Sequence, residues 1–301
     1  MKVFFVANLH AGTGGIKSHF AEIINIMSKA GMDVTVYATQ CKHDATQKVI
    51  DLPVGVYDRV ICAGGDGTLD EVVAGMNKRS EKLPIGYIPG GSTNDFASSI
   101  GLPKGVVRAA EVAVNGTPHK FDLGCFDSKT FVYVAAFGLF TEVSYATPQE
   151  IKNIIGHAAY VLEGIKTLAN VKSYKMKITS DEMAVVGEFI YGMVSNSDSV
   201  GGFKKIGGSD VLLDDGEFEV TLVRKPADME DLSNTIQALL NRKRTARGLV
   251  TFKASEVTFE CKSDLAWTLD GEYGDTLKTV TIRNAHNELE LICPNGDNEK
   301  K

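Results

Sequence analysis

A glycine-rich segment with one acidic residue is the part of this sequence that most clearly suggests chemistry. Residues 62–76 read CAGGDGTLDEVVAGM, between an apolar run typical of a buried strand and the pattern of a helix. Adjacent glycines weaken regular structure, so their presence needs a reason. Without Cβ atoms, backbone N–H groups can approach an anion, and the N-terminus of the following helix adds favourable partial charge. The segment is therefore a candidate phosphate site.

The acidic residue in this turn, Asp66, adds a second requirement. A carboxylate would repel phosphate unless a cation bridged them, so Mg²⁺ is the expected third party. The alternative is a tight turn in which Asp66 only caps the helix. A second turn, residues 89–95 (PGGSTND), repeats the same small, donor-rich chemistry after the next strand candidate. This repetition favours the phosphate interpretation.

Two familiar nucleotide motifs are excluded at a third turn, residues 12–18 (GTGGIKS). A Walker A loop requires glycine before its lysine, and Ile16 stands there instead. The dinucleotide fingerprint fails as well, because Lys17 replaces its last glycine. The turn is either a nucleotide-contacting loop of another type or a solvated connection between a strand and a helix.

The elements that must position these turns follow a regular rhythm. Apolar strand candidates alternate with amphipathic helix patterns, the strands at 2–7, 33–37, 58–63, 84–88 and 119–124 and the helices at 16–30, 43–51, 69–78 and 104–115. This alternation predicts βαβ units and a parallel sheet. Ligands bind beyond the carboxyl ends of such strands, where all three turns fall.

The rhythm changes after about residue 121. Short β-rich runs dominate residues 130–292, with helical patterns only at 149–169 and 228–241. Such a pattern is closer to an antiparallel sandwich or barrel than to a continued parallel sheet. We therefore predict an α/β domain over residues 1–121, an all-β domain over 122–293 and a polar tail over 294–301.

Composition limits the class of protein. The chain has 301 residues, 44% of them hydrophobic, and a formal net charge of −6, which gives no indication of nucleic-acid binding. Five cysteines without a C-x-x-C pair indicate reduced thiols in a cytoplasmic protein. The longest mainly apolar stretch, residues 131–140, is shorter than the ~20 residues of a membrane-spanning helix. Any membrane contact is therefore expected to be peripheral.

The glycine turn and several later segments together resemble the diacylglycerol kinase catalytic family. The GGDGT sequence at 64–68, followed by Asp70 and Glu71, resembles its signature; sphingosine and ceramide kinases share it, and NAD kinases are more distantly similar. The other matching segments follow in the family's order, at residues 8–12, 39–45, 91–97, 156–160, 196–202, 214–216 and 270–272. The soluble bacterial diacylglycerol kinases are closest in length and layout.

The resemblance implies a fold and a nucleotide site. The fold would be an α/β nucleotide domain followed by an antiparallel β-sandwich domain, with an interdomain cleft. The co-substrate would be ATP. The residues implied to contact it are Asn8, Gly12, Thr39, Gly64, Gly65, Asp66, Gly67, Thr68, Glu71, Ser92, Thr93 and Asn94.

The resemblance also implies metal sites and a catalytic base. Asp66 would hold the catalytic Mg²⁺, through water. A second, structural Mg²⁺ would be bound by the backbone carbonyls of Leu212 and Glu217 and by the Asp215 carboxylate. Glu272 would be the general base. For Asp215 and Glu272, plain hairpin turns are the alternative interpretation.

The expected function is an ATP- and Mg²⁺-dependent lipid kinase that acts peripherally at a membrane surface. Diacylglycerol is the first choice of substrate. The alternatives are another lipid alcohol, such as phosphatidylglycerol or a sphingoid base, or a nucleotide-binding regulatory protein without transfer activity. A basic run at 241–247 could contact anionic lipid or simply complement a helix C-terminus. A homodimer is left open.

Overall fold

The chain forms two compact units with separate hydrophobic cores. The computed structural model describes residues 1–12, 14–139, 141, 171–197, 199–200, 203–204, 211–240 and 248–295. Unit 1 consists of Met1–Phe121 together with Asn287–Lys301, and unit 2 consists of Asp122–His286. Among the helices in these ranges, none is both long and apolar enough to cross a membrane.

Unit 1 is built on a parallel sheet, as the alternation of patterns predicts. Its strands are β1 (Lys2–Ala7), β2 (Asp33–Ala38), β3 (Arg59–Gly64) and β4 (Ile85–Pro89), and its helices are α1 (Gly15–Ser18), α2 (Phe20–Lys29), α3 (Asp44–Ile50), α4 (Asp66–Asn77), α5 (Asp95–Ser99) and α6 (Val106–Asn115). The strands pair in the order β2-β1-β3-β4, every pair parallel. All of β4 and nearly all of β3 are buried, as is usual for central strands of such sheets.

Two helices of unit 1 differ from their predicted bounds. The helix predicted over 16–30 is divided at His19, and Ile16 and Ile23 on either side of this division both fill the core. The helix predicted over 69–78 begins at Asp66, because the N–H groups of Thr68 and Leu69 both bond to the Gly65 carbonyl, at 3.0 and 3.2 Å. The glycine-rich turn is therefore continuous with the first turn of α4.

The C-terminal boundary of the second domain also differs from the prediction. The sequence pattern assigns residues 287–293 to that domain, whereas the structure places them in unit 1. Leu291 and Ile292 pair in parallel with Ile85 and Gly86 of β4, and both side chains are buried. This pairing joins segments about 200 residues apart, so no local pattern indicates it.

Unit 2 is mainly antiparallel sheet. Its strands, of which the first begins and the last ends in unit 1, are β5 (Thr117–Phe126), β6 (Lys129–Phe131), β7 (Val134–Gly138), β8 (Tyr174–Ser180), β9 (Ala184–Ser195), β10 (Ser199–Val200), β11 (Phe203–Lys204), β12 (Phe218–Arg224), β13 (Leu249–Ala254), β14 (Glu256–Leu269) and β15 (Glu272–Cys293); α7 (Met229–Leu240) lies among them. They pair in the order β13-β12-β9-β7-β14-β15, and β8 pairs with both β9 and β14. The predicted mixture of helix with abundant sheet is confirmed, while the sandwich arrangement and the interdomain cleft stay predictions.

An aromatic cluster around Trp267 forms the centre of the unit 2 core. The indole is fully buried, and its ring centroid lies 4.9 Å from that of Phe137, 5.0 Å from Phe259 and 5.3 Å from Phe126. All three contacts are edge-on, an arrangement worth about 0.5–1.5 kcal/mol each beyond the area that is buried. The cluster fixes β14 three residues before the turn at Asp270 and Gly271, which Glu272 follows.

Candidate active site

Three polar turns meet at the carboxyl ends of β1, β3 and β4. The Asn8 N–H bonds to the Ala63 carbonyl at 2.8 Å, and the Gly90 N–H bonds to the Gly64 carbonyl at 2.7 Å. Gly12 has φ +58°, and a Cβ atom there would lie 2.2 Å from the Gly90 oxygen, so no other residue fits this approach. The sheet thus brings together three turns that are separated by as much as 82 residues in sequence, from Asn8 to Gly90.

The predicted nucleotide residues Asn8, Gly64 and Thr68 form one packed group. The Asn8 side-chain amide donates to Thr68 Oγ1 at 3.1 Å. A Cβ atom on Gly64 would lie 2.4 Å from the same oxygen, which explains why glycine is needed at the end of β3. Gly65 is the N-cap of α4, and because glycine has no side chain it supplies no cap of its own. The N-terminus of α4 is therefore suited to receive an anion.

Asp66 lies beside these amides in an unusual electrostatic environment. Its Oδ2 accepts bonds from the Thr93 hydroxyl and the Asp95 N–H, both at 3.3 Å. Its Oδ1 is buried and accepts no hydrogen bond of ordinary geometry from any described residue. Burial raises the pKa of Asp66 to about 6, and the nearby Asp95 carboxylate adds to the rise. The buried Tyr87 hydroxyl also interacts with this carboxylate but brings no positive charge. A carboxylate in this state is suited to a cation, which would favour its charged form.

The turn after β4 carries Ser92, Thr93 and Asn94, and these residues have different roles. Asn94 has φ +52°, and its side chain closes the turn by accepting from the Gly91 N–H at 2.9 Å and donating to the Gly91 carbonyl at 3.0 Å. Ser92 and Thr93 are exposed, and Thr93 touches Asp66. Asp95, which the sequence did not indicate as a site residue, is buried, and its charge raises the pKa of Asp66. An acidic residue following a glycine turn is the signal that could have identified it.

Thr39 and Glu71 lie on neighbouring elements of unit 1. Thr39 follows β2, and its N–H bonds to the Ala7 carbonyl at 3.0 Å. Glu71 lies on α4, with its carboxylate bonded to the N–H groups of His43 at 2.7 Å and Ala45 at 3.1 Å. Both oxygens of Glu71 therefore already have protein partners.

Glu272 directly follows a two-residue hairpin turn between β14 and β15. Asp270 and Gly271 both have positive φ, +50° and +84°, and Leu269 pairs with Glu272 across the turn. This is the backbone that a D-G pair favours in short hairpins. The side chain of Glu272 is exposed, so a substrate hydroxyl can approach it.

The Asp270 carboxylate fixes this hairpin in unit 2. It is buried and accepts the N–H groups of Val132 at 2.6 Å and of Tyr133 and Val134 at 2.9 Å. Three amides that converge on one carboxylate hold the turn, and with it the backbone of Glu272, in a single position. The D-G-E spacing indicates the turn, but the amide partners lie about 135 residues away and could not be inferred from it.

The turn with Leu212, Asp215 and Glu217 has a cation already in place. Lys253 Nζ lies 2.6 Å from Asp215 Oδ2 and 3.5 Å from the buried Glu219. Asp215 Oδ1 accepts the Glu217 N–H at 3.1 Å, and Leu212 is exposed. Burial raises the pKa of Glu219 to about 7, which Lys253 opposes and Asp215 reinforces. A divalent cation at this turn would have to share Asp215 with Lys253.

A buried aspartate, Asp122, anchors the same turn. Its Oδ2 accepts the Gly216 N–H at 2.6 Å and the Asn284 side-chain amide at 3.1 Å, while its Oδ1 lies 2.9 Å from His286 Nδ1. Asn196 adds a bond from its side-chain amide to the Asp122 carbonyl at 3.1 Å. Sequence reasoning missed Asp122, Glu219 and Lys253; an acid within an otherwise apolar strand was the available signal for Glu219.

Some sequence-derived features lie outside the described residues. They are Thr13, the helical stretch 149–169 with its 156–160 motif, the glycines at 201–202 and the basic run 241–247. Within the described ranges, no three His, Cys, Asp or Glu side chains converge as a metal cluster. Since Mg²⁺ keeps several waters and binds through one or two carboxylates, a lone Asp66 with Asp95 nearby is still a suitable first ligand.

Comparison with known proteins identifies the family. Residues 2–126 match the family model of the diacylglycerol kinase catalytic domain. A diacylglycerol kinase of Bacillus subtilis is 30% identical over 290 residues, covering 96% of this chain and 95% of that protein. A diacylglycerol kinase of Staphylococcus saprophyticus is 31% identical over 291 residues, covering 96% and 94%. A crystal structure from Bacillus anthracis matches with a TM-score of 0.82 and 25% identity, over 97% of this chain and 95% of that chain. With such similarity along nearly its whole length, the chain belongs to the diacylglycerol kinase family and is a kinase.

Proposed function

We propose that this kinase transfers the γ-phosphate of ATP to a lipid hydroxyl, with diacylglycerol as the substrate and phosphatidic acid as the product. The observation that carries the proposal is Asp66, a carboxylate whose pKa is raised by burial and by the neighbouring Asp95 carboxylate, at the first residue of α4 in a glycine turn. The relatives that match the chain over its length are diacylglycerol kinases, which supports the choice of lipid.

ATP binds in this proposal at the three turns of unit 1. Phosphoryl transfer depends mainly on positioning and charge stabilisation, so backbone amides at a helix N-terminus are suitable parts. Gly12, Gly64 and Gly65 allow the backbone to come close, and Asn8 holds Thr68 through its side chain. Ser92 and Thr93 are exposed at the edge of the same group of turns and are the side chains available for direct contact.

Mg²⁺ fits the first predicted position better than the second. At Asp66, the raised pKa and the second carboxylate of Asp95 nearby both favour a cation. Mg²⁺ bound there would neutralise charge on the phosphate oxygens. At Asp215, the ammonium group of Lys253 already supplies positive charge. We therefore assign the catalytic cation to Asp66, and we keep Leu212, Asp215 and Glu217 as a second position where a cation competes with Lys253.

Glu272 is the proposed general base. The lipid oxygen forms a bond to the γ-phosphorus as the bond from that phosphorus to the bridging oxygen breaks, and ADP leaves. The hydroxyl proton passes to the Glu272 carboxylate, a contribution of about 10²–10⁴-fold to the rate. The exposed position of Glu272 on a hairpin that Asp270 fixes is consistent with this role.

The nature of the substrate sets where the enzyme works. Diacylglycerol lies within membranes, so the reaction takes place at a lipid surface, and we propose a cytoplasmic protein that associates with that surface peripherally. The basic run at 241–247 is the proposed contact with anionic lipid, where each basic residue contributes about 1 kcal/mol.

Purified protein, labelled ATP and vesicles of defined lipid test the proposal. Vesicles that contain diacylglycerol should give labelled phosphatidic acid in Mg²⁺ and none in chelator. Parallel vesicles with phosphatidylglycerol or a sphingoid base should give little product. Labelling of one of these instead would reject diacylglycerol while keeping the lipid kinase, and nucleotide binding without labelling of any lipid would indicate a regulatory protein.

A further inference from the structure

Glu71 forms a bridge between two elements of unit 1. From its place on α4, its Oε1 accepts the His43 N–H at 2.7 Å and its Oε2 accepts the Ala45 N–H at 3.1 Å. The Thr46 hydroxyl donates to the Glu71 backbone carbonyl at 2.9 Å, so a third bond joins the same two segments. Residues 43–46 are therefore tied to α4 through Glu71.

The start of α3 needs this bridge for a local reason. Its N-cap, His43, is a non-glycine residue with φ +65°, and it makes no side-chain cap bond. The first N–H groups of a helix need acceptors, and the acidic residue of this first turn, Asp44, bonds to the Gln40 N–H and the Tyr37 hydroxyl instead. Glu71 supplies acceptors for the His43 and Ala45 N–H groups from a different element. Within the loop itself, the Asp44 carboxylate accepts the Tyr37 hydroxyl and the Gln40 N–H, both at 2.7 Å, so the particular contribution of Glu71 is the link to α4.

The bridge connects two of the segments assigned to the nucleotide. Glu71 lies one helical turn after Thr68 on α4, and residues 43–46 close the loop that begins at Thr39, beyond β2. Both carboxylate oxygens already accept N–H bonds, and their negative charge would repel phosphate directly. Direct contact with ATP, which the family resemblance implies for Glu71, is thus the weaker interpretation of its geometry.

We infer that Glu71 is a positioning residue, which supports nucleotide binding by fixing the loop 39–45 against α4 and does not itself touch the nucleotide. This inference rests on the proposed nucleotide site in unit 1. It also predicts that the loop loses its fixed position when the carboxylate is changed, whether or not a nucleotide is present.

Two variants, Glu71→Gln and Glu71→Ala, test the bridge, with Glu111→Gln as the matched control because Glu111 is an exposed glutamate on α6. Amide hydrogen exchange is first measured without nucleotide. The His43 and Ala45 amides should exchange about 10-fold faster or more in both Glu71 variants, as expected for losing charge-assisted bonds, and should be unchanged in the control. Unchanged exchange at both amides in Glu71→Ala would overturn the bridge.

Nucleotide binding then separates positioning from contact. Wild-type protein is titrated with ATP, 2′-deoxy-ATP and 3′-deoxy-ATP in Mg²⁺, and the titrations are repeated with Glu71→Gln. A positioning residue should weaken all three by the same factor, about 10-fold, and should raise KM for ATP with kcat within about 2-fold of wild type. Suppose that wild type binds one deoxy analogue more weakly than ATP, whereas Glu71→Gln binds that analogue and ATP equally well. This result would show direct contact of Glu71 with the missing hydroxyl and would overturn the inference. Absence of ATP binding by wild-type protein would instead reject the proposed nucleotide site, a failure that the exchange experiment distinguishes.

Discussion

At the residue scale, Asp66, the proposed metal ligand, lies in an environment that disfavours its own charge. Burial of its carboxylate and the nearby Asp95 carboxylate both make ionisation of Asp66 unfavourable without a cation. The opposite holds for Asp270, whose carboxylate is buried but satisfied by three amides. Two acids of one chain thus differ in role because of the donors that surround them.

The first prediction is that Asp66→Asn stabilises the metal-free protein while it abolishes kinase activity. A folded-state pKa near 6, above the ordinary value for Asp, means that stability falls as pH rises from about 4 to 6 and stays low above it. Removing the ionisable group removes this loss. The full rise in pKa corresponds to about 3 kcal/mol, and since Asp66 as a residue is partly exposed we expect about 1–2 kcal/mol at pH 7.5.

Thermal or urea unfolding in chelator at pH 4 and pH 7.5 measures this effect. The variant should be more stable than wild type at pH 7.5 and about equal to it at pH 4. If Asp66→Asn is destabilised at pH 7.5 and keeps activity, both its electrostatic description and its assigned role are wrong.

The second prediction concerns Glu272, the proposed proton acceptor. Glu272→Gln keeps the shape of an exposed side chain and removes its basicity, so kcat on lipid should fall by about 10²–10⁴-fold with ATP affinity nearly unchanged. Glu288→Gln, at another exposed glutamate of β15, is the matched control and should remain active. Steady-state kinetics on diacylglycerol vesicles provide the measurement. A wild-type kcat in Glu272→Gln would show that Glu272 is not the proton acceptor and that the turn is an ordinary hairpin.

At the element scale, the turn around Asp215 is held by a buried aspartate and an ion pair. Asp122 fixes its backbone through Gly216, and Lys253 neutralises Asp215 from β13. The pair is partly exposed, with side-chain exposures of 35% for Lys253 and 18% for Asp215, so its own contribution is about 1 kcal/mol or less. The ion pair alone therefore gives the turn little stability, and a cation that bound here would add measurably to it.

The third prediction uses this turn. In chelator, Asp215→Asn should lower the unfolding free energy by about 1 kcal/mol, because the pair with Lys253 is lost. If Mg²⁺ also binds here, it should raise the Tm of wild type and of Asp214→Asn, whose exposed side chain makes it the control, more than that of Asp215→Asn. Equal Mg²⁺-dependent shifts in all three proteins would exclude a cation at Asp215.

At the scale of the whole molecule, the C-terminal part of β15 adds a strand to the parallel sheet of unit 1. Leu291 and Ile292 pair with β4, and both side chains are buried together with Leu289. β4 leads directly into the turn that carries Asn94 and Asp95. The C-terminal segment thus stabilises the strand that positions one side of the candidate nucleotide site.

The fourth prediction is that the chain tolerates loss of its tail but not of this strand. Ending the chain at residue 286 removes three buried aliphatic side chains worth about 1.5–3 kcal/mol each, which is comparable to the total stability of a domain. That truncation should leave unit 1 unfolded and unable to bind ATP, whereas a chain that ends at residue 295 should behave like wild type. Circular dichroism melting and proteolysis compare the two. A stable, ATP-binding protein that ends at residue 286 would contradict the role of the strand.

The sequence alone determined those features that depend on near neighbours. The alternation of apolar runs and amphipathic helices predicted the parallel sheet, and glycine next to Asp66 predicted a turn at a strand end. The D-G pair at 270–271 predicted a hairpin. In each case the physical cause, such as backbone freedom or a hydrophobic period, lies within a few residues and is visible in the sequence.

Only the tertiary structure decided how distant residues satisfy one another. The three amides that bind Asp270, the pair of Asp215 with Lys253 and the bonds from His43 and Ala45 to Glu71 join segments 26 to 138 residues apart. The pairing of the C-terminal strand with β4 spans still more of the chain. A buried polar group or strand edge without a hydrogen-bond partner costs free energy, so the fold must bring a partner to it. That partner comes from a distant part of the chain, and no local sequence pattern indicates which residue it will be.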